Sequence, residues 1–488
     1  MKSFIIAPLS LLFCQILIAP KSSGNVDLNN QQRSGFTDAA EFGFSPNATG
    51  VQNAKALQMA VEEAGTVIVS QVGTYNIARS VYLPSNTTLI FGNNIFVKKT
   101  AEPDPFSHVF INKGAVNRSW DSKITIKGLN LIVNKVDVCD FNVAYGLNGQ
   151  VAFFYAKDVR IEGFRCFDLG SEQFGIQICT FEDLALRDLI IKGQQDCLHL
   201  GRGTRFTINH STFETLHKAI ALNSQDDITS TPELGWIENG VIENCHDLES
   251  KKPGNCFCEI LSGGWIDWQI GMDVRRSDTV VSNGKLYRVQ ADADGIIYKS
   301  STPPNHEKGV VKLDGINWRL VQNDVTYIAG VRNVVFRDIF LNSTRTAFTI
   351  HFDNNNFNRS YYPEAQAPVN NGIKFDNIQL INENNNRQIL NINAPVDIIL
   401  FSNSRILNNL IEFSANSALK DYGKTIIQMM GCIFCYPKPM DLIANNVTQK
   451  EVLLKTTASI TFFDEFRANV KEDSGQVFVD SDLPGLRK

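Results

Sequence analysis

Short stretches in which apolar and polar residues alternate recur along much of the chain, and a polar turn interrupts each one. Alternation with a period of two residues indicates β-strands, because successive side chains of a strand point to opposite faces. Where nothing intervenes, neighbouring stretches start 22 to 39 residues apart, a spacing typical of solenoids. The stretches are DVRIEGFRCFD from Asp158, DLALRDLIIKG from Asp183, RFTINHSTFET from Arg205, NVVFRDIFLNS from Asn333, GIKFDNIQLIN from Gly372 and DIILFSNSRIL from Asp397.

This repeat predicts an all-β fold, a right-handed single-stranded parallel β-helix in which each stretch forms part of one coil. Short strands, turns rich in Asn and Gly, and no helical pattern between the copies favour this solenoid over a leucine-rich repeat, whose regular leucine consensus is absent. Strands of neighbouring coils would stack about 4.8 Å apart. We therefore assign residues 25–263 and 325–488 to the β-helix.

One amphipathic segment near the start of the chain predicts a helix. The stretch GVQNAKALQMAVEEAG, from Gly50 to Gly65, has an apolar side that includes Leu57 and Val61 and ends in glycine. The first coil of a solenoid exposes a bare hydrophobic cross-section, so we expect this helix to cap it.

The repeat breaks between residues 264 and 324, and we interpret this segment as a small β module inserted into a loop of the solenoid. Asn283–Gly284 lies between alternating strands, which is a strong hairpin signal. Trp268, Tyr287 and Trp318 resemble the aromatic pattern of small chitin- or cellulose-binding modules, in which an exposed ring stacks on a sugar. Alternatively, these aromatic residues form the core of the module, since a domain of about sixty residues needs its large side chains inside.

Residues 1–24 have the pattern of a secretory signal peptide. Lys2 precedes an apolar run from Phe4 to Ile18, and small residues follow. No later run approaches the ~20 apolar residues of a membrane-spanning helix. We therefore expect a secreted or periplasmic protein, or one at the cell surface, without a transmembrane segment.

Composition narrows the class of partner. The 488 residues include 46 Lys plus Arg and 51 Asp plus Glu, for a net charge of −5, so a nucleic acid partner, which needs a concentrated basic face, is not expected. The 32 Phe and 46 Asn fit a solenoid with an aromatic interior and tight corners. We expect neither a metal nor an organic cofactor. The sequence pattern gives no information on the oligomeric state.

Three polar residues one coil apart form the first candidate site. Asp196, His217 and Glu238 are separated by 21 residues each, which in a regular solenoid would align them on one face. Asp196 and Glu238 would then lie roughly 9–10 Å apart, close to the 6.5–9.5 Å or so between the carboxylates of inverting glycosidases. His217 or Lys218 between them would keep one carboxylate ionised, while burial raises the pKa of the other.

Other polar residues surround this ladder. Asp226 and Asp227 are an alternative acid–base pair, or else an ordinary Asx turn. Trp236 could stack on a sugar, and Trp268 and Trp318 of the module could do the same. Further candidates for substrate binding alternate along RTAFTIHFD, namely Arg345, His351 and Asp353.

The opening GFTDAAEFGFSPNATGVQNAKALQMAVEEAGTVIVSQVGTYNIARSVYLPSNTTLIF resembles the start of pectate-lyase-superfamily proteins. In detail most of the chain from residue 35 to about 413, apart from the inserted module, is similar to the polygalacturonase-like hydrolases of glycoside hydrolase family 28. This resemblance implies a parallel β-helix and hydrolysis of a glycan. The motifs of that family are only partly preserved. Its Asn-Thr-Asp falls on Gln194-Gln195-Asp196, its Asp-Asp on His217-Lys218 and its Gly-His-Gly on Glu238-Asn239-Gly240, while Arg345 is the nearest match to its Arg-x-Lys.

The leading hypothesis is a secreted glycoside hydrolase that cleaves a polysaccharide with carboxylates as general acid and base. One alternative is a polysaccharide lyase, in which Lys218 abstracts a proton and Arg345 neutralises a uronate carboxylate. Another is a non-catalytic glycan-binding or surface protein whose inserted module recognises the sugar. The missing Asp-Asp pair favours this last alternative.

Overall fold

The structure, a computed structural model, describes residues 35–488 apart from 103, 139–145, 249–254, 291–294, 382–387, 408–409, 417–422, 436–439, 449, 462–467, 473, 485 and 487–488. The predicted signal peptide, residues 1–24, lies outside the described residues. Within the described part, no helix has the length and apolar character needed to cross a lipid bilayer.

Most strands belong to one continuous sheet that winds as a right-handed parallel β-helix, which confirms the fold class predicted from the repeat. Through the middle of the sheet, each strand pairs in parallel with one strand of the preceding coil and one of the following coil. Up to the break in the repeat, the strands are β1 Thr37–Asp38, β2 Thr66–Val69, β3 Gly73–Ile77, β4 Val81–Leu83, β5 Thr88–Phe91, β6 Ile95–Lys99, β7 Phe110–Asn112, β8 Asp121–Lys127, β9 Asn130–Ile132, β10 Gly149–Glu162, β11 Arg165–Leu169, β12 Phe174–Arg187, β13 Ile190–Gly193, β14 Leu198–Leu200, β15 Gly203–Thr215, β16 Ile220–Asn223, β17 Ile237–Asp247 and β18 Cys256–Leu261.

The segment between β18 and the next coil forms small sheets of its own. One has five strands in the order β20-β22-β23-β26-β25, and β19 with β27 and β21 with β24 form antiparallel pairs. Asn283 and Gly284 both have positive φ in the turn between β22 and β23, as a two-residue hairpin requires. These strands are β19 Gly263–Gly264, β20 Ile266–Asp267, β21 Met272–Val274, β22 Thr279–Ser282, β23 Lys285–Val289, β24 Tyr298–Ser300, β25 Val310–Leu313, β26 Ile316–Gln322 and β27 Ile328–Ala329.

The β-helix then resumes, because β28 pairs in parallel with β17 and β29 with β18 across the inserted residues. The remaining strands continue the same coils towards the carboxyl terminus. They are β28 Val331–Leu341, β29 Thr346–His351, β30 Asn371–Leu380, β31 Gln388–Ile392, β32 Ile398–Ser402, β33 Arg405–Leu407, β34 Leu410–Phe413, β35 Lys424–Met430, β36 Ile433–Cys435, β37 Met440–Asn445, β38 Glu451–Thr457, β39 Ile460–Thr461, β40 Ala468–Glu472 and β41 Gln476–Ser481.

The predicted amphipathic helix is present as α1, Gly50–Glu63. Thr49 begins it with a capping box, in which its side chain accepts from the backbone of Gln52 and the Gln52 side chain accepts in return. Leu57 and Val61 are buried, and the helix packs against β2, β3 and β4. It therefore covers apolar side chains of the first coils.

Corners of the coils are built from residues in the left-handed conformation. Asp158, Asp183 and Arg205, the first residues of three repeats, have φ values of 50°, 59° and 59°. Asn239 and Asn333 continue this row in the next coils, with φ of 59° and 55°. Asn and Asp tolerate this conformation better than most residues because their short side chains hydrogen-bond locally. The abundance of Asn thus follows from the number of corners.

Phenylalanines stack along the interior from coil to coil. The ring centroids of Phe336 and Phe375 lie 5.3 Å apart, and those of Phe375 and Phe401 lie 4.7 Å apart, with nearly parallel planes. All three side chains are completely buried. Parallel pairing places equivalent residues of successive coils directly over one another, so one phenylalanine position per coil yields a continuous column.

Replacing Phe375 with alanine should lower the free energy of unfolding by about 3–5 kcal/mol, because the column loses its middle ring and keeps a cavity. Denaturant unfolding followed by tryptophan fluorescence measures the change. Phe167→Ala is the matched control, since Phe167 is 59% exposed and its loss should change stability by no more than about 0.5 kcal/mol. Equal effects of the two substitutions would contradict the importance of the column.

Candidate active site

One face of the β-helix carries a row of polar side chains between two apolar rows. Strands β14, β16, β18 and β29 stack in register, and alternation sends every second residue outwards. The inward row is apolar and fully buried, namely Leu198, Ile220, Cys258 and Phe348. The next residue of each strand projects outwards, which gives the row His199, Ala221, Glu259 and Thr349.

Asp196, just before β14, is a buried carboxylate that accepts several hydrogen bonds. His217 Nδ1 lies 2.5 Å from one oxygen and His199 Nδ1 lies 3.2 Å from the other. The backbone N–H of Lys218 also donates to it, at 3.2 Å. Burial alone would raise the pKa of Asp196, but the Lys218 charge and the two histidine hydrogen bonds hold it well below its usual range. Asp196 is therefore ionised throughout the physiological pH range.

The pKa of Asp226, in the loop after β16, is shifted in the opposite direction. Its carboxylate accepts from the side-chain amide of Asn223 at 2.7 Å, and His199 Nε2 lies 3.9 Å away. Burial raises the pKa of Asp226 to about 6, and the carboxylates of Asp353 and Glu259 contribute to the increase. Asp226 thus holds its proton up to nearly neutral pH, while Asp196 has lost its own.

Other carboxylates beside these two have cationic partners. Lys218 Nζ lies 2.5 Å from Glu259, and His351 Nε2 lies 3.3 Å from the other oxygen of Glu259. His351 also contacts Asp353 at 3.5 Å. Burial by itself would lower the pKa of His351, but the hydrogen bond with Asp353 and the charge of Glu259 raise it. Glu259, Asp353, Lys218 and His351 thus form a compact charge network.

A cavity of about 300 Å³ opens beside Asp196 and Asp226. The imidazole of His199 lies between the two carboxyl groups, with one nitrogen towards each. The cavity brings together the predicted candidates Asp196, His217, Lys218 and Asp226, and it is lined by these residues with Asn148, Glu172, Phe174, Gln195, Thr229 and Ser230.

Glu238 does not belong to this cavity, and the predicted ladder from Asp196 through His217 to Glu238 is wrong in its last step. Glu238 lies on β17 opposite Thr204 and Arg332, and it forms an ion pair with Arg332. The equal spacing of 21 residues is misleading because loop 224–236 is much longer than the 201–202 corner of the preceding coil. The chain has therefore not completed a full coil when it reaches Glu238.

Trp236 and Glu238 line a second cavity, also of about 300 Å³. The guanidinium carbon of Arg332 lies 4.8 Å from the centroid of the Trp236 ring, so a cation already covers one aromatic face. The two cavities have no lining residue in common.

Asp227, the neighbour of Asp226, connects the loop to the inserted segment. It accepts from the backbone and hydroxyl of Thr229 in an Asx-type turn. Its carboxylate also lies 3.2 Å from Arg276 Nε and accepts from the Ser277 hydroxyl at 3.0 Å. Asp227 is thus an anchor for the loop, with its oxygens already engaged away from the cavity.

Arg345, expected to bind substrate, is buried instead. Its guanidinium forms a bidentate pair with Asp247, with Nε 3.1 Å from Oδ2. It also donates to the backbone carbonyls of Thr215 and His217. The buried side chain therefore holds the backbone at His217 rather than a substrate.

The aromatic residues of the inserted segment form its core, so the expectation of exposed sugar platforms is wrong for Trp318. Trp318 and Tyr287 are completely buried. Trp268 is half-buried against the same cluster, and its indole N–H donates to Ser300 at 2.7 Å. A module this small needs its largest side chains inside.

Two polar residues central to the network, His199 and Glu259, were not among the predicted site residues. Each lies in the middle of an apolar strand, in LHL and CFCEIL. Alternation alone would have placed both on the outer face. The residues that they contact, however, depend on which strands pair. The length of loop 224–236 prevents this pairing from being read from the sequence.

No protein-family profile matches the chain, and no curated protein is significantly similar to it. Similar solved structures exist. The catalytic unit of a family 87 α-1,3-glucanase from Streptomyces thermodiastaticus has a TM-score of 0.52 and 12% identity, over 95% of this chain and 71% of that one. Family 28 exopolygalacturonases are also similar. Those of Yersinia enterocolitica and Thermotoga maritima have TM-scores of 0.45 and 0.48 and identities of 11% and 12%, over 92% and 88% of this chain and 79% and 93% of theirs. At these identities the shared property is the β-helix fold.

Asp226→Asn should stabilise the protein at pH 8 and have little effect at pH 4. The folded-state pKa of about 6 exceeds that of an ordinary aspartate, so the stability that Asp226 contributes when protonated is lost as pH rises through about 6. At pH 8 the buried charge costs about 3 kcal/mol, which the amide avoids. Thermal unfolding of both proteins at the two pH values measures the difference.

Asp227→Asn is the matched control one residue away. Its carboxylate is hydrogen-bonded by Ser277 and paired with Arg276, so its neutralisation should lower stability at pH 8 by about 1–3 kcal/mol. A destabilising effect of Asp226→Asn at pH 8 would contradict the raised pKa of Asp226.

Proposed function

We propose that the protein is a glycoside hydrolase in which Asp226 is the general acid. The observation that carries this proposal is the pair of carboxyl groups, Asp226 and Asp196, whose environments push their pKa values in opposite directions beside one cavity. Glycosidases need one carboxylic acid to protonate the leaving oxygen and a second group to assist attack at the anomeric carbon.

Asp226 is suited to protonate the glycosidic oxygen of a sugar bound in the cavity. Its pKa of about 6 leaves it protonated in mildly acidic solution and still acidic enough to transfer the proton as the bond breaks. After this transfer, the charge of Lys218 lowers the pKa of Asp226 and so favours its ionised form. Asp226 can therefore exchange readily between its protonated and ionised forms.

Asp196 and His217 supply the other half of the reaction. The ionised carboxylate of Asp196 orients the imidazole of His217 through Nδ1, which leaves Nε2 to accept a proton from an attacking water. The negative charge of Asp196 also stabilises the positive charge that develops on the sugar ring in the transition state. Arg345 supports this arrangement by holding the backbone carbonyl of His217.

A secreted or periplasmic enzyme, or one at the cell surface, that acts on a polysaccharide fits the amino-terminal sequence pattern. The lyase alternative has less support, because it needs a free base and a cation for the uronate carboxylate. Lys218 is paired with Glu259, and Arg345 is paired with Asp247. A purely glycan-binding role gives no function to the raised pKa of Asp226, which costs stability once the pH exceeds that pKa.

Asp226→Asn should lower kcat about 10²–10⁴-fold, the usual contribution of a general acid. In the unmodified enzyme, kcat/KM should fall about tenfold per pH unit above pH 6, and this fall should be absent from the residual activity of the variant. Release of reducing ends from a panel of polysaccharides, followed from pH 4 to 9, measures both quantities.

Glu238→Gln is the matched control, because Glu238 lies in the second cavity and its loss should change kcat less than threefold or so. If Glu238→Gln abolished turnover while Asp226→Asn retained it, the acid would lie in the other cavity. Products that absorb in the near ultraviolet would indicate an elimination reaction and overturn the hydrolase.

A further inference from the structure

Three buried polar atoms in or next to the cavity have no hydrogen-bond partner among the described residues. Asn148 Oδ1 belongs to a lining residue, and Asn223 Oδ1 and His199 Nε2 belong to neighbours of Asp226. These side chains are 7%, 0% and 1% exposed. Buried polar atoms of native proteins are nearly always satisfied by protein, water or ligand. Their position beside the cavity indicates that a bound molecule provides the missing hydrogen bonds.

All three atoms are hydrogen-bond acceptors. The amide nitrogen of Asn148 donates to the Glu172 carbonyl at 2.6 Å, which orients the amide and leaves its oxygen free. The amide nitrogen of Asn223 is likewise committed to the Asp226 carboxylate. His199 Nδ1 lies 3.2 Å from the Asp196 carboxylate, and the tautomer that donates there presents a lone pair at Nε2.

Acceptors of this kind select hydrogen-bond donors. A sugar hydroxyl donates and satisfies them, whereas the carboxylate of a uronic acid can only accept and leaves them unpaired. A site whose buried polar groups stay unpaired discriminates strongly against the wrong ligand, by factors of roughly 10⁴ in favourable cases. The hydrogen-bonding pattern therefore favours hydroxyl groups over carboxylates.

The charges around the cavity act in the same direction. Glu172, Asp196 and Asp226 line it with negative or potentially negative groups. Among the described lining residues, the permanently cationic side chain is that of Lys218, and Glu259 already binds it at 2.5 Å. A uronate carboxylate would thus meet repulsion without a free cation to neutralise it.

We infer that the cavity accepts a neutral glycosyl unit, so that the substrate is a neutral polysaccharide and not a polyuronate. This inference rests on the proposed hydrolase function and adds the substrate class. It also bears on the reaction type, because β-elimination needs a carboxylate to acidify the neighbouring C–H, and a neutral sugar has none.

Matched pairs of polysaccharides test the inference. Polygalacturonate and glucuronan are each compared with their carboxyl-reduced forms, which keep the linkage and replace the carboxylate with a hydroxymethyl group, and neutral glucans and galactans complete the panel. We expect turnover of neutral members and at least a 100-fold lower kcat/KM on any acidic partner. Preferential turnover of an acidic member overturns the inference and leaves the hydrolase intact.

Binding measurements distinguish a failure of this inference from a failure of the proposed function. Asp226→Asn is titrated with the same panel, and retention of neutral glycans without acidic ones supports the inference even if the unmodified protein releases no product. Tighter binding of an acidic member, or binding of neither kind, overturns it. In the Asp226→Asn background, Glu172→Lys should raise affinity for the acidic members roughly fivefold by reversing one charge at the cavity, whereas Glu238→Lys, in the other cavity, should not.

Discussion

Parallel pairing between coils is the constraint on which the rest of the molecule depends. Once β14, β16 and β18 are in register, apolar residues such as Ile220 face a continuous core and the residues beside them face outwards. The same pairing that stacks the phenylalanine column therefore brings His199 and Glu259 to one face, although 60 positions separate them in sequence. Ala221 lies between them in the row.

Burying several charged groups close together costs free energy, and the network compensates this cost for some of the groups but not for all. Ion pairing and hydrogen bonds compensate Asp196 and Glu259, whose partners include His217 and Lys218. Asp226 accepts hydrogen bonds from the Asn223 amide and the Asp227 backbone, but these contacts and the charge of Lys218 do not outweigh its burial, so its pKa is raised. The difference in protonation on which the proposed chemistry depends is thus a direct result of how the available cations are distributed.

The sequence predicts those parts of the structure that local rules determine. Alternation and left-handed Asn and Asp corners identify the coils, and a spacing of one short coil places the backbone of Lys218 beside Asp196. Prediction fails where distance along the chain no longer corresponds to position in a coil. The length of loop 224–236 displaces Glu238 from the site, and Glu259 enters it from a strand that looks entirely structural. Neither shift has a local signal, because both depend on which strands pair.

The departures from the repeat are also what complete the site. Loop 224–236 carries Asp226, and the inserted segment holds this loop in place: Gln322 exchanges hydrogen bonds with the backbone of Leu234, and Arg288 donates to the carbonyl of Thr231. A regular coil offers a flat face with side chains at fixed intervals, which cannot enclose a sugar. The insertion follows β18 directly and returns the chain to β28, so the solenoid register is kept while the extra residues fix the acid. The geometry proposed for catalysis therefore requires both a strict repeat to align the carboxylate network and a local break in that repeat to bring Asp226 over it.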